Sequence, residues 1–127
     1  MSEAITCGIR VIAQATFHPE KSSRENNYFF FSYQITIINE SEETVQLLSR
    51  HWKIHDADGN QEEVAGAGVV GEQPVIPPGA HHTYSSFCPL KTDIGSMSGT
   101  YQMITENGER FDAVIAPFTL ARPHSIN

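Results

Sequence analysis

From Ile9 to Phe17 the odd positions carry Ile9, Val11, Ala13, Ala15 and Phe17, with Arg10, Gln14 and Thr16 between them. A period of two predicts a half-buried β-strand. "HPEKSSRENN", 18 to 27, is polar and contains Pro, Ser and Asn, so it reads as a loop. "YFFFSYQITIIN" then concentrates aromatic and β-branched residues, which suit a pleated surface, and places Phe29, Phe31, Tyr33, Ile35 and Ile37 on one core-facing side. "NESEET" at 39 to 44 marks a turn. "VQLLSRHWKIHD" resumes the strand pattern, with Leu48, Trp52 and Ile54 on one side, Arg50 between them, and "DADGN" closing the strand. "GAHHTYSSF" follows a Pro-Pro-Gly turn at 77 to 79, and Pro89 beside Cys88 predicts a loop after it. "GTYQMIT" and "RFDAVIAPFTL" flank "ENGE", where Asn107-Gly108 suits a type I′ hairpin turn. No stretch carries helical periodicity of useful length. About seven strands with turns at short intervals predict an all-β, antiparallel sandwich.

Composition narrows the class. A chain of 127 residues fits a single domain, 1–127, with its core at about 9–124. No apolar run approaches the ~18 residues of a membrane span, so insertion into a membrane and direct transport are not expected. "MSEAITCGIR" lacks the basic and apolar regions of a signal peptide, which makes the cytoplasm the expected compartment. There, Cys7 and Cys88 are expected as free thiols, and the sequon at Asn39-Glu40-Ser41 has no consequence. Net charge is −7, which works against nucleic acid as a partner.

Residues 66 to 71, "GAGVVG", have the letters of a G-x-G-x-x-G phosphate loop. Such a loop works because its glycines join a strand to a helix whose N-terminal amides hold the phosphates. Pro74, Pro77 and Pro78 follow, and they deny a helix its donors and geometry. Gly66, Gly68 and Gly71 are therefore expected to permit backbone angles or close strand approaches. An anion, phosphate or nucleotide held by the loop amides, with Glu72 alongside, is the alternative.

Several ordered blocks, "VQLLSRHWKIHDADG", "VAGAGVVGEQPVIPPG", "GSMSGTYQM" and "FDAVIAPFTLARP", with the earlier "ITIIN", closely resemble the bacterial ApaG proteins, also called CorD. The resemblance runs from about Ile9 to the C-terminus. It implies a fibronectin type III-like or immunoglobulin-like β-sandwich. It further implies a non-enzymatic protein-interaction module with an indirect link to cobalt resistance and magnesium efflux. "SSFCPL" and "HPEKSSREN" depart from the family's usual loops.

Chemistry-bearing residues are sparse. His81 and His82 leave opposite faces of a strand, and His51 and His55 lie about 13 Å apart by rise, so neither pair chelates one ion. Cys88, His51, His82 and Asp93 supply catalytic types without a recognised spacing. No cofactor is expected. If Trp52 faces the core, Arg50 shares that face and must reach water or pair with an acid; if both face outward, they form an interface anchor. Candidate contacts are thus Gly66, Gly68, Gly71, Glu72, Arg50 and His51. The expected partner is an unidentified protein docked on a sheet edge or on the glycine segment, and free edges would also allow a homodimer.

Overall fold

The computed structural model describes residues 1–123. Nine strands alternate with tight turns: β1 (Ser2–Thr6), β2 (Ile9–Phe17), β3 (Phe29–Asn39), β4 (Val45–Asp56), β5 (Gln61–Ala67), β6 (Val75–Ile76), β7 (His81–Leu90), β8 (Ile94–Thr105) and β9 (Arg110–Ala121). One short 3₁₀ turn, Pro19–Lys21, lies in the polar loop between β2 and β3. All strand pairs are antiparallel, in two sheets ordered β1-β2-β3-β7 and β5-β4-β8-β9, with the short β6 beside β4. Seven of these strands, β2-β3-β7 over β5-β4-β8-β9, make the antiparallel sandwich that the pattern predicted, in the fibronectin type III-like frame that the resemblance implied.

The inner faces follow the period-two pattern. Ile9, Val11 and Ala13 of β2 and Phe29, Phe31, Tyr33, Ile35 and Ile37 of β3 are buried. They meet Met97, Tyr101 and Met103 of β8 and Ala113, Ile115, Phe118 and Leu120 of β9 in one core. Trp52 sits at its centre, with edge-on contacts to Tyr33 (5.4 Å), Phe118 (6.0 Å) and Tyr101 (6.3 Å) between ring centroids.

Four local expectations are corrected. On β4 the core residues are Val45, Leu47 and Trp52, because a bulge between Leu47 and Ser49 inserts Leu48 and switches the face. Leu48 therefore does not share the Trp52 face. The residues around Cys88 and Pro89 are strand, not loop: β7 is an edge strand, and a proline is accepted there where its nitrogen turns away from the neighbouring strand. The hairpin at Asn107-Gly108 is a three-residue loop, closed by Thr105 N to Glu109 O (2.8 Å) and Gly108 N to Thr105 O (2.9 Å). Only Gly108 has positive φ (84°), so the turn is type I followed by a left-handed glycine. The type I′ geometry lies elsewhere, at Cys7-Gly8 (φ 50° and 78°), where it returns β1 onto β2 and adds a strand that no alternation in "SEAIT" signalled.

The two sides of the sandwich differ. On one side β1 and β2 pack on β9, and Ser2 Oγ donates to Ala116 O (2.8 Å) while Val114 N donates to Thr6 Oγ1 (3.1 Å). On the other side the edge strands β7 and β5 border a cleft between the sheets.

Candidate functional site

The glycine segment runs along β5 and into a tight hairpin. Val69 N donates to Glu72 O (2.7 Å) and Glu72 N to Val69 O (3.0 Å), with Val70 and Gly71 both left-handed (φ 47° and 79°). That is a two-residue type I′ turn. Val70 is 64% exposed at its tip, while Val69 is buried in the core. Gly68 N donates to the carbonyl of the bulged Leu48 (2.9 Å), and Gln73 Nε2 donates to the same oxygen (2.9 Å). The bulge on β4 and the glycine hairpin thus satisfy each other.

Arg50 completes this corner. Its register partner on β5 is Gly66, and its Nη1 donates to Ala67 O (3.0 Å) and Gly68 O (2.9 Å). A Cβ on Gly66 would lie 3.0 Å from the guanidinium, so the glycine makes room for the side chain. The sequence left Arg50 a choice between water and an acid; it takes carbonyl oxygens instead. These carbonyls face the cation, and the amides of Gly68, Val69 and Glu72 are already donating. An anion at the loop would find three of its amides already occupied.

The candidate contacts divide accordingly. Gly66, Gly68 and Arg50 form one cluster, and Gly71 and Glu72 form the hairpin beside it. Glu72 Oε2 reaches His82 Nε2 of β7 at 3.8 Å, so the hairpin bridges to the opposite sheet. His51 is not part of the cluster. It lies on the other face of β4, with Nε2 3.3 Å from Glu63 Oε1.

One functional-looking motif is a structural corner. Asn39 of the sequon is 0% exposed; its Nδ2 donates to Glu43 O and Ile76 O, both at 2.8 Å. Its Oδ1 accepts from Ser41 N (2.9 Å) and Ser41 Oγ (2.6 Å). The Asn-x-Ser spacing places the serine for that bond, a role legible in the sequence only as the N-E-S letters of a side-chain-capped turn.

Titratable groups give little chemistry. Burial pushes the Cys88 thiol up to about 11, aided by the charge of Glu62, so it stays protonated at neutral pH. Cys7 is exposed and free. Iodoacetamide at pH 7.5 is expected to alkylate Cys7 first, with Cys88 slower by more than about ten-fold, as mass spectrometry of timed digests would read out. Comparable rates at the two sites would show that Cys88 is neither buried nor shifted. Burial likewise raises the phenols of Tyr84 and Tyr101, whose hydroxyls share a 2.5 Å hydrogen bond. Among the described residues no group of three or more His, Cys, Asp or Glu is arranged to hold a metal ion. His124 lies outside the described residues.

A family model described as the ApaG domain matches residues 19–105, a span that includes the aromatic strand, the β4 bulge, the glycine hairpin and β7. The chain belongs to the ApaG family. Protein ApaG of Anaeromyxobacter dehalogenans strain 2CP-C is 54% identical over 127 residues, all of both chains. Protein ApaG of Afipia carboxidovorans is 51% identical over 123 residues, covering 97% of this chain and 95% of its own. The crystal structure of the Bordetella pertussis protein described as ApaA superposes with a TM-score of 0.90 at 41% identity, covering 92% of this chain and 95% of that one. The ApaG assignment accounts for the whole sandwich. No helix among the described residues is long and apolar enough to cross a membrane.

Proposed function

We propose that this ApaG protein is a non-enzymatic, cytoplasmic binding module that takes up an extended, basic segment of another protein along the free edge of β7. Any connection to cobalt resistance or magnesium efflux, which the family resemblance suggests, then runs through that partner. The observation that carries this reading is Phe87. It is 65% exposed on the edge strand, stacked on Phe30 with ring centroids 5.6 Å apart. An exposed aromatic anchor beside unpaired backbone groups is what strand addition uses.

The register supports the same surface. Pro89 pairs opposite Phe30, and a proline fits a ladder only where its nitrogen faces away from the neighbour. Antiparallel alternation then turns the N–H and C=O of Thr83, Ser85 and Phe87 outward as well. Across the cleft Glu62 and Glu72 are exposed, and the chain carries a net −7, so a basic segment is the complementary one and a second copy is disfavoured. The glycine segment is the poorer contact because its backbone groups already serve Leu48, Arg50 and each other.

Ser85→Pro removes an outward amide at the edge, and Phe87→Lys removes the anchor. Both variants should keep wild-type thermal stability within about 1 kcal/mol, as expected for exposed edge positions. Wild-type protein should retain a stoichiometric, basic partner from native lysate and show slowed hydrogen exchange at residues 83 to 87 in the complex. Both variants should lose it. A partner bound equally by Ser85→Pro, or a homodimer pairing through β7, would overturn the reading.

A further inference from the structure

We propose that the cleft between β7 and β5 is a binding site for a small organic carboxylate, its head held by Arg50 and Trp52 and its apolar body by the facing sheets. The cleft encloses about 300 Å³ and reaches from Phe87 and Pro89 at the edge to Tyr33, Arg50, Trp52 and Met97 inside. That is the low end of ligand-pocket volumes, room for roughly ten non-hydrogen atoms at the ~30 Å³ of a water-sized group.

Two independent features point to what enters. The first is an orphaned donor. Trp52 is only 2% exposed and lines the cleft, yet its Nε1–H finds no acceptor in the protein. An indole N–H buried without a partner is costly, so a ligand head that presses in far enough to accept from it is rewarded. The second is Arg50. One nitrogen, Nη1, serves the carbonyls of Ala67 and Gly68, and the side chain forms no ion pair with an acid among the described residues. Its positive charge reaches the buried hydroxyls of Tyr33, Tyr84 and Tyr101, where it opposes the burial that raises all three.

The chemistry selects a planar monoanion. A guanidinium fork matches a carboxylate in shape and charge, and the indole N–H supplies a further donor to the same head. Ser86 adds a polar wall. Val64, Ile54 and Met97 supply the apolar one. Glu62 at the exposed lip and the protein's net −7 oppose a second negative charge, which favours a carboxylate over a dianionic phosphate. This site adjoins the glycine segment through Arg50 but does not use its loop amides, and it is separate from the outward amides of β7 on which strand addition depends.

The chain has a single tryptophan, so one indole N–H signal in a ¹H–¹⁵N spectrum reports the site directly. Phenylacetate is the probe. Its addition should move the indole signal saturably, and its neutral amide should bind about ten-fold more weakly or worse, as expected when a charge-assisted hydrogen bond is lost. Trp52→Phe should keep the fold and lose about ten-fold in phenylacetate affinity, read from the Met97 methyl signal. Glu62→Gln should tighten binding a few-fold. Ser85→Pro should leave phenylacetate binding unchanged, which keeps this outcome distinct from that of the edge-strand proposal. An indole signal unmoved by millimolar phenylacetate, equal affinity for the amide, wild-type affinity in Trp52→Phe or weaker binding in Glu62→Gln would each overturn the assignment.

Discussion

Asn39→Ala should lower stability by about 3–5 kcal/mol, the largest effect expected of any single polar substitution in this protein. Asn39 is wholly buried at the end of β3, and all its polar atoms are engaged. The side-chain amide serves Glu43 O and Ile76 O, the side-chain oxygen takes Ser41 N and Ser41 Oγ, and the main chain pairs with Ala80 O and Gly79 N. Alanine keeps the main-chain bonds and strands the rest, each orphan costing roughly 1–3 kcal/mol where water cannot follow. At ~4 °C per kcal/mol for a domain of this size, the melting midpoint should fall by more than about 10 °C. Asn39→Asp should be no better, because it retains the acceptor, loses both donations and adds a buried charge. Thermal melts followed by circular dichroism decide the matter. A shift below about 4 °C would mean that the corner is held by its backbone alone.

Gly68→Ala should cost about 2–3 kcal/mol, against ~1 kcal/mol for Gly71→Ala, although both glycines are left-handed. The difference is space. At Gly71 (φ 79°) a Cβ would meet nothing within 4 Å, so the penalty is the backbone angle alone. At Gly68 (φ 62°) the Cβ would come within 2.2 Å of Glu72 O, a backbone atom fixed by its bond from Val69 N. Relief requires opening the type I′ hairpin, which would also disturb the Gly68 N to Leu48 O bond and the Arg50 contact to Gly68 O. Urea midpoints of the two variants should therefore separate clearly. Equal midpoints would show that the hairpin yields at no cost and that the close approach does not constrain it.

Much of this architecture was legible along the chain. Alternation marked β2, β3 and β9, and dense aromatics singled out Phe29, Phe31, Tyr33, Ile35 and Ile37 as core, as the structure has them. Trp52 was legible as buried, but its neighbour on that face was not. A bulge is one inserted residue with no compositional mark in "VQLLSRHW", so Leu48 was placed where Leu47 belongs. β1 escaped because "SEAIT" is short and half exposed, and its place comes from the Cys7-Gly8 turn rather than from its own pattern. Pro89 suggested a break because a proline's tolerance in a ladder depends on whether the strand is an edge, which is a property of sheet order.

The candidate site shows the same division. The prolines after "GAGVVG" were enough to remove the helix that a nucleotide loop requires, since that is a local rule of backbone chemistry. What the glycines do instead depends on residues far along the chain: Arg50 seventeen positions before Ala67, and a carbonyl exposed by the bulge at Leu48. The cleft between β7 and β5 is more remote still, because it exists only where two edges from different sheets are left uncovered.

By itself, then, the sequence determined the β-class, the core faces of β2 and β3, and the ApaG family, because each of these is encoded in neighbouring residues or in ordered blocks. Tertiary structure alone decided which face Arg50 serves, why Asn39 is buried, which strand edge stays open and what the cleft contains. Those depend on pairing register and on contacts between residues tens of positions apart, and a period of two carries no information about either.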